Sequence, residues 1–306
     1  MSFCSEVKSE ICAVLPERKC CRKAMLNSAF AFFNVVNSKK IKMNTESAIV
    51  ARYINTLIEE TLFVSSHIEI KKSDKINGFS LEITDENDIK KIADELGLIN
   101  KKTNQISGVI DGNLSVNPCC QRAALKGAFL IAGSVTNPQS SYHFEVYNHR
   151  LSPVNSLNEL LLSLDFMPKI IKRGSDNVLY IKEKEAIADI LNLLGSKEMF
   201  FRFHDIILMK EVKNQLNRKQ NFEQANLDKT VNAAVNQSLA IKNIINSNRF
   251  EELPDNLKEI ATLRLENPEA SLSELSEMLS EPLTRSGINH RLKKLVAIGL
   301  SIERKE

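Results

Sequence analysis

Apolar and polar residues follow two different spacings along the chain, and both predict regular elements. Over residues 142–147, aromatic and apolar side chains alternate with polar ones, which predicts a strand with one buried face. Over residues 231–246, apolar residues recur every three or four positions, which predicts an amphipathic helix. Together these periods predict an α+β protein, with strands before about residue 210 and only helices after it.

The first two thirds of the chain contain the same unit twice. Residues 20–30 and 119–129 are identical at six of eleven positions, and both segments begin with an adjacent cysteine pair. A second block of apolar residues, ending in Gly97 and Gly195, recurs at an offset of 98. Two such blocks predict a duplicated unit of about 100 residues. We therefore divide the chain into residues 1–118 and 119–220, one copy each, and a separate all-helical domain, 221–306.

Each copy is predicted to have the order helix, strand, helix, strand, strand, helix. The predicted strands are 40–44, 67–72 and 79–84 in the first copy and 142–147, 169–173 and 178–182 in the second. The middle helices are predicted at 47–60 and 156–165. The last helices end near Gly97 and Gly195, where glycine suits a left-handed C-cap.

The helix that opens each copy has small residues four positions apart, which allow two such helices to approach closely. These residues are Ala24, Ser28, Ala123 and Gly127. With the duplicated αβαββα order, this pattern resembles the LAGLIDADG homing-endonuclease fold, with degenerate motifs at 26–34 and 125–133. The resemblance implies two motif helices packed at a pseudo-twofold axis and two sheets that form a saddle over DNA.

The same resemblance places a catalytic acid at the eighth position of each motif, which here is Phe33 in one copy and Ala132 in the other. Neither side chain can bind the Mg²⁺ ion that metal-dependent phosphodiester cleavage requires. No Asp or Glu occurs from residue 22 to 45 or from 121 to 144. We therefore predict no catalytic residue and no enzyme activity, against the alternative of a residual metal-dependent DNA endonuclease.

The polar face of the predicted saddle is close to neutral, unlike a surface that follows phosphates. Its charged positions are Lys71, Lys169, Arg173, Lys182, Glu69, Glu82 and Glu145, four bases against three acids. One interpretation is an ordinary solvated sheet face. The other is a face that binds a regulatory protein or a small ligand, and the pattern leaves both open.

Six cysteines include two adjacent pairs, Cys20 with Cys21 and Cys119 with Cys120. Four thiols would suit a zinc site, but zinc sites normally separate the two residues of each pair by two to four positions. We therefore expect reduced, buried thiols, with no metal and no cofactor. No run reaches the roughly 18 apolar residues of a membrane span, and the N-terminal run has no signal-peptide pattern, so we expect a cytoplasmic protein without membrane partners.

The C-terminal segment has the pattern of a helix-turn-helix. Ser271 and Glu274 form a capping box at the start of a short helix, residues 280–283 break it, and a further helix is predicted at 285–297. Residues 250–283 contain 2 basic and 9 acidic residues, whereas residues 284–306 contain 6 basic and 2 acidic. Positive charge is therefore concentrated on the last helix and the tail, which favours phosphate binding.

The helical period sets the face that this last helix presents to a partner. With Ile288, Leu292 and Leu295 directed inward, the polar and basic side chains point outward or flank the buried stripe. The predicted DNA-binding residues are Arg285, Ser286, Asn289, His290, Arg291, Lys293 and Lys294. Asn and Ser suit base edges, whereas Arg and Lys suit guanine or phosphate. The alternative is a solvated basic helix in a module that does not bind DNA.

A degenerate LAGLIDADG repeat followed by this helix-turn-helix resembles the WhiA family of bacterial regulators along essentially the whole chain. The matching segments are 1–3, 119–120, 125–130, 133–135, 141–143, 225–230, 253–254 and, most specifically, 286–292. Asn34 departs from the family pattern, which usually has glycine there.

The resemblance implies a sequence-specific transcription regulator that binds double-stranded DNA at the nucleoid. It links the family to cell division and chromosome segregation, and to sporulation in some relatives. A protein-interaction module without direct DNA contact is the remaining alternative.

Overall fold

The computed structural model describes residues 2–72, 77–98 and 108–303. The chain forms two compact units, Met1–Lys210 and Glu211–Glu306. The first contains both copies of the duplicated sequence, and the second contains the segment with the helix-turn-helix pattern. Across the described residues, none of the helices is both long enough and apolar enough to cross a membrane.

The first unit opens with a helix that the sequence pattern did not predict, α1 (Phe3–Ile11). The first copy then contains α2 (Lys19–Ala31), β1 (Val35–Val36), β2 (Ile41–Thr45), α3 (Ala48–Leu62), β3 (His67–Lys72), β4 (Asn77–Ile83) and α4 (Glu86–Glu95). The second contains α5 (Pro118–Ala132), β5 (Gly133–Val135), β6 (Phe144–Asn148), α6 (Leu151–Leu162), β7 (Lys169–Arg173), β8 (Asp176–Ile181) and α7 (Lys184–Leu193). The elements follow the same order in both copies, which confirms the duplication.

Within the described residues, each copy forms one four-stranded antiparallel sheet, with the orders β1-β2-β4-β3 and β5-β6-β8-β7. Met43 lies opposite Leu81 in the first sheet, and Val146 lies opposite Leu179 in the second, and all four side chains are buried. The α+β class is therefore confirmed. The short strands β1 and β5 are additional to the predicted order, because two or three residues are too few to show an alternation.

Helix α6 begins five residues before the predicted position 156. Pro153 lies in its first turn, where a helix makes no use of the backbone N–H that proline lacks. The sequence interpretation placed the start after this proline, and the structure corrects it.

Helices α2 and α5 are the two motif helices, and they cross with their backbones in direct contact. A Cβ atom on Gly127 would lie 2.1 Å from the Met25 carbonyl oxygen and 3.1 Å from the Ala29 nitrogen. Ala24 and Ser28, the small residues of α2, are completely buried. The small residues therefore allow the close helix approach that their spacing predicts, since any larger side chain at this crossing would separate the two helices.

The polar faces of the two sheets neutralise much of their own charge. Glu82 on β4 forms ion pairs with Lys42 on β2 and with Lys40, whose Nζ lies 2.7 Å from the carboxylate. Glu145 on β6 pairs with Arg173 at 3.2 Å, and its carboxylate lies 3.0 Å from a ring nitrogen of His143. Of the predicted saddle charges, the Lys71 side chain lies outside the described part of the structure. Glu82 and Glu145 are therefore neutralised and repel phosphate less. The bases that pair with them are also less available to bind phosphate.

The polar segment 210–228, which contains the domain boundary that the sequence placed after residue 220, is helical. It lies within α8 (Lys197–Asn246), a helix of 50 residues. No glycine or proline occurs anywhere in it, and Lys, Glu, Gln and Leu are good helix formers, so a polar composition does not interrupt it. The boundary between the two compact units falls inside this helix, after Lys210.

The second unit is all-helical. The end of α8 is followed by a 3₁₀ turn (Phe250–Glu252), α9 (Asp255–Glu266), α10 (Leu272–Met278) and α11 (Arg285–Glu303). Its core contains Ile241, Ile244, Leu253, Leu257, Ile260, Ala261, Leu275, Leu279, Ile288, Leu292 and Leu295. Helix α11 continues beyond residue 297, through Gly299. A Cβ there would lie 2.6 Å from the Ala240 carbonyl oxygen, so this glycine serves close packing against α8.

We predict that Gly127→Ala destabilises the first unit, because its added methyl group must displace backbone atoms of α2. The expected loss is about 1–3 kcal/mol of unfolding free energy, measured by denaturant titration. Gly112→Ala is the matched control, because a Cβ at Gly112 meets nothing within 4 Å. Equal stability of the two variants would show that the helix crossing has room for a side chain.

We also predict an acid-dependent loss of stability that depends on Glu82. Hydrogen bonds from Lys40 and Lys42 lower the pKa of Glu82 from 4.5 to about 2. Because the folded-state pKa is lowered, the stabilisation is complete above the unfolded-state pKa and disappears as the pH falls through the folded value. The difference in Tm between wild type and Glu82→Gln should therefore shrink as the pH falls from 7 toward 2. Glu69→Gln controls for the loss of a carboxylate on the adjacent strand, and a pH-independent difference would contradict the prediction.

Candidate nucleic-acid interface

The helices α10 and α11 form a helix-turn-helix held by local hydrogen bonds. At the start of α10, the Ser271 Oγ accepts from the Glu274 backbone nitrogen at 3.2 Å, and the Glu274 carboxylate accepts from the Ser271 nitrogen at 2.7 Å. This confirms the capping box. Between the helices, the Ser276 hydroxyl donates to the Leu283 carbonyl oxygen, and the Thr284 Oγ1 accepts from the Gly287 nitrogen at 3.2 Å. The turn therefore has a defined geometry, and α11 has a capped start.

Helix α11 presents the face that its period predicts. Ile288, Leu292 and Leu295 are completely buried. The exposed predicted residues are Arg285, Ser286, His290, Lys293 and Lys294, and the half-buried ones are Asn289 and Arg291. Residues 285–302 contain Arg and Lys but no Asp or Glu, so all the charges on this exposed face are positive. Such a face attracts a polyanion.

Arg291 has a structural contact that the sequence did not indicate. Its Nη1 donates to the Asn256 carbonyl oxygen on α9 at 3.3 Å. Next to it, the carboxylate of Glu259 accepts from the Ser280 backbone nitrogen at 2.7 Å. This hydrogen bond lowers the pKa of Glu259, and the positive charge of Arg291 adds a smaller effect. Arg291 therefore joins α11 to α9, and its guanidinium is less available than that of the exposed Arg285.

A cleft of about 300 Å³ adjoins the start of α11. Arg285 and Asn289 line it together with Lys229 from α8 and Ser273 from α10. None of the described residues that line this cleft is acidic. Sequence reasoning missed Lys229 and Ser273, because they lie on other helices and only the fold brings them beside Arg285.

The buried Arg264 shapes one wall of the same cleft. Its Nη1 donates to the carbonyl oxygens of Asn267, Pro268 and Ala270, the last at 2.7 Å. Burial lowers the pKa of Arg264, but a guanidinium stays protonated in proteins. This side chain therefore fixes the connection between α9 and α10 and places a further positive charge under the cleft.

Phe33 and Ala132, which the LAGLIDADG resemblance places at the positions of catalytic acids, lie at the ends of the two motif helices. Phe33 follows the end of α2, is completely buried and stacks on Phe30 with ring centroids 4.6 Å apart. Ala132 is the last residue of α5 and is 8% exposed. The guanidinium of Arg150, from the second copy, donates to the carbonyl oxygens of Ala31 at 2.8 Å and Phe33 at 3.0 Å. A positive side chain thus satisfies the carbonyls at the end of α2.

The four paired cysteines come together at the opposite ends of the same two helices. The Sγ atoms of Cys20, Cys21, Cys119 and Cys120 all lie within 4.8 Å of one another. The expectation of plain buried thiols is wrong for Cys20, which is exposed, and for Cys119, which is half-buried. The structure brings one pair from each copy into a single cluster, although the two cysteines of each pair are adjacent in the sequence.

Burial and hydrogen bonds among these thiols shift their pKa values in opposite directions. Burial, with hydrogen bonds to Cys119 and Cys20, raises the pKa of Cys21 to about 11. The hydrogen bond from Cys21 correspondingly lowers the pKa of Cys119. Arg18 also lies beside this group, with its Nη1 3.9 Å from the Cys119 sulfur.

Comparison with known proteins identifies both units. A family model described as the WhiA LAGLIDADG-like domain matches residues 121–213, and one described as the WhiA C-terminal HTH domain matches residues 216–299. The crystal structure of full-length DUF199/WhiA from Thermatoga maritima superimposes with a TM-score of 0.58 at 24% identity, covering 98% of both chains. This similarity shows that the two proteins share a fold.

Curated relatives extend the similarity to nearly the whole sequence. A protein of Alkaliphilus metalliredigens, named probable cell division protein WhiA, is 35% identical over 305 residues, or 96% of both chains. A protein of Clostridium botulinum strain Hall with the same name is 35% identical over 309 residues, covering 97% of this chain and 98% of its own. The chain belongs to the WhiA family.

Proposed function

We propose that this protein is a transcription regulator that binds specific sites in double-stranded DNA through α11. The observation that supports this most directly is the exposed face of α11. Residues 285–302 contain Arg and Lys but no Asp or Glu. A helix-turn-helix places its second helix in the major groove, with the first residues of that helix against the base edges. Ser286, Asn289 and His290 lie in this part of α11 and have side chains that hydrogen-bond to bases.

The phosphate contacts are assigned to the basic residues around these three. Arg285, Lys293 and Lys294 are exposed and can neutralise phosphates on either side of the groove. Lys229 and Ser273, which line the cleft beside Arg285, extend the same surface onto α8 and α10. We assign Arg291 mainly to holding α11 in place, because its guanidinium donates to the Asn256 carbonyl.

We propose that the LAGLIDADG-like unit is not a nuclease. Phe33 and Ala132 offer no ligand for a metal, and Arg150 places a positive charge against the end of α2. The paired charges on the sheets also make them a poor phosphate-tracking surface. A platform for a regulatory protein or a small ligand is the role that fits this unit best.

The cellular role is proposed from the relatives, which are named probable cell division proteins. A member of the same family that binds DNA would act at the nucleoid and control genes for division and chromosome segregation. The operator sequence can be found by mapping the genomic fragments that the protein retains.

We predict that Arg285→Ala with Lys293→Ala lowers affinity for an operator fragment about tenfold or more at 0.1 M salt. Two phosphate contacts would be lost, so the slope of log K against log salt should fall by about 2. The matched control is Arg249→Ala with Lys258→Ala, which removes the same charge from bases paired with Glu252 and Glu251. Fluorescence anisotropy at several salt concentrations measures both quantities.

Equal losses in the two double variants would show that net charge alone, and not the α11 face, determines binding. Wild-type protein that retards no genomic fragment at low salt would instead favour a protein-interaction module without direct DNA contact.

We predict that the purified protein does not nick supercoiled plasmid in the presence of Mg²⁺ or Mn²⁺, because the positions that should hold the metal lack oxygen ligands. The measurement is conversion to open circles on a gel, with an EDTA reaction as the control for background nicking. Metal-dependent nicking that persists in Arg285→Ala with Lys293→Ala would restore the endonuclease alternative.

A further inference from the structure

We propose that Cys20, Cys21, Cys119 and Cys120 form a tetrathiolate site for a single Zn²⁺ ion that joins the two copies of the repeat. The four Sγ atoms lie within 4.8 Å of one another, each pair being on the first turn of one motif helix. This inference does not depend on DNA binding, because metal content is measured without DNA.

The distances suit one metal ion. Zn²⁺ binds thiolates at about 2.3 Å in a tetrahedron, which places the sulfurs about 3.8 Å from one another. The Sγ atoms of Cys119 and Cys120 are already 3.9 Å apart, and none of the other sulfur–sulfur distances needs to shorten by more than about an ångström to match this tetrahedron. A polynuclear iron–sulfur cluster has several irons and sulfides between its ligands and would need the cysteines farther apart. Among single ions, four soft thiolates favour zinc.

The surroundings supply the charge that such a site requires. Zn²⁺ with four thiolates has a net charge of −2. The N-terminal ends of both α2 and α5 point their partial positive charge toward the cysteines, and neither first turn contains an acidic residue. Arg18 lies 3.9 Å from the Cys119 sulfur. The adjoining cleft is lined by four bases and two acids, so its balance is positive: Arg18, Arg122, Lys126 and Lys197 against Glu10 and Glu17.

The burial of the four residues suits a structural role with access for the ion. Cys21 and Cys120 are buried, whereas Cys119 is half-buried and Cys20 is exposed, so one side opens toward solvent. Four thiolate ligands leave no open coordination position for substrate or water, which is typical of structural sites. Zinc would therefore join the starts of α2 and α5 and stabilise the fold.

When Zn²⁺ binds, the four thiols release four protons, and the product is a tetrathiolate complex with a net charge of −2. No electron is transferred, so the step needs no oxidant or reductant. It does compete with oxidation, because the same four sulfurs could form disulfides between the helices, and the protein must therefore be kept reduced.

The test is elemental analysis of the full-length protein, purified under reducing, chelator-free conditions from a zinc-containing medium. We expect about one zinc per chain and no stoichiometric iron. Replacing the zinc with Co²⁺ should produce the intense visible bands of tetrahedral cobalt with thiolate ligands. Removing zinc with a strong chelator should lower the Tm, and adding Zn²⁺ should restore it.

The variants use the exposed and half-buried cysteines, which tolerate serine without disturbing the core. Cys20→Ser with Cys119→Ser should lose the zinc and the cobalt bands and become insensitive to the chelator. Cys12→Ser is the matched control, a half-buried cysteine outside the cluster, and should bind zinc as the wild type does. Circular dichroism checks that each variant is folded.

Three results would overturn the proposal. The first is reduced wild-type protein that takes up neither Zn²⁺ nor Co²⁺ at micromolar concentrations. The second is stoichiometric iron or stable disulfides in place of zinc under the same conditions. The third is zinc that remains bound in folded Cys20→Ser with Cys119→Ser.

Discussion

The backbone contact between α2 and α5 is the constraint on which the first unit depends. At Gly127 a Cβ would lie 2.1 Å from the Met25 carbonyl oxygen, so the helices can cross at this distance only without a side chain there. Because each copy contributes its motif helix to this contact, the contact fixes the position of one copy relative to the other. It also brings the first turns of both helices together, which is why cysteines 99 positions apart in the chain meet.

The two ends of this helix pair have different chemistry. At the starts, four thiols converge among positive charges, an arrangement that suits a soft cation. Beyond the far end of α2, Phe33 is buried in the core and the carbonyls are satisfied by the guanidinium of Arg150. An aromatic side chain and a fixed positive charge therefore occupy the end of α2.

In the second unit, acidic side chains and the buried Arg264 hold the frame, whereas most bases of α11 are exposed. Glu259 accepts a hydrogen bond from the Ser280 backbone and Glu274 completes the capping box, so these acidic groups hold α9, α10 and their connections. The bases on α11 face outward, apart from Arg291, whose guanidinium donates to α9. The unit therefore has a stable frame and a positive surface on α11. Its net charge is close to zero, so the net charge alone does not reveal this positive surface.

The sequence by itself determined the duplication, most strands, the capping box and the outward face of α11, because each depends on spacing within a short segment. It also predicted that Phe33 and Ala132 stand where the LAGLIDADG pattern has catalytic acids. It did not show β1 or β5, which are too short to have a period, or that a polar segment continues as α8. Only the tertiary structure decided that Arg150 satisfies the end of α2, that Lys229 lies beside Arg285, and that the two cysteine pairs form one cluster. Periodicity shows which face of an element is buried, but the packing of distant elements determines which buried faces meet.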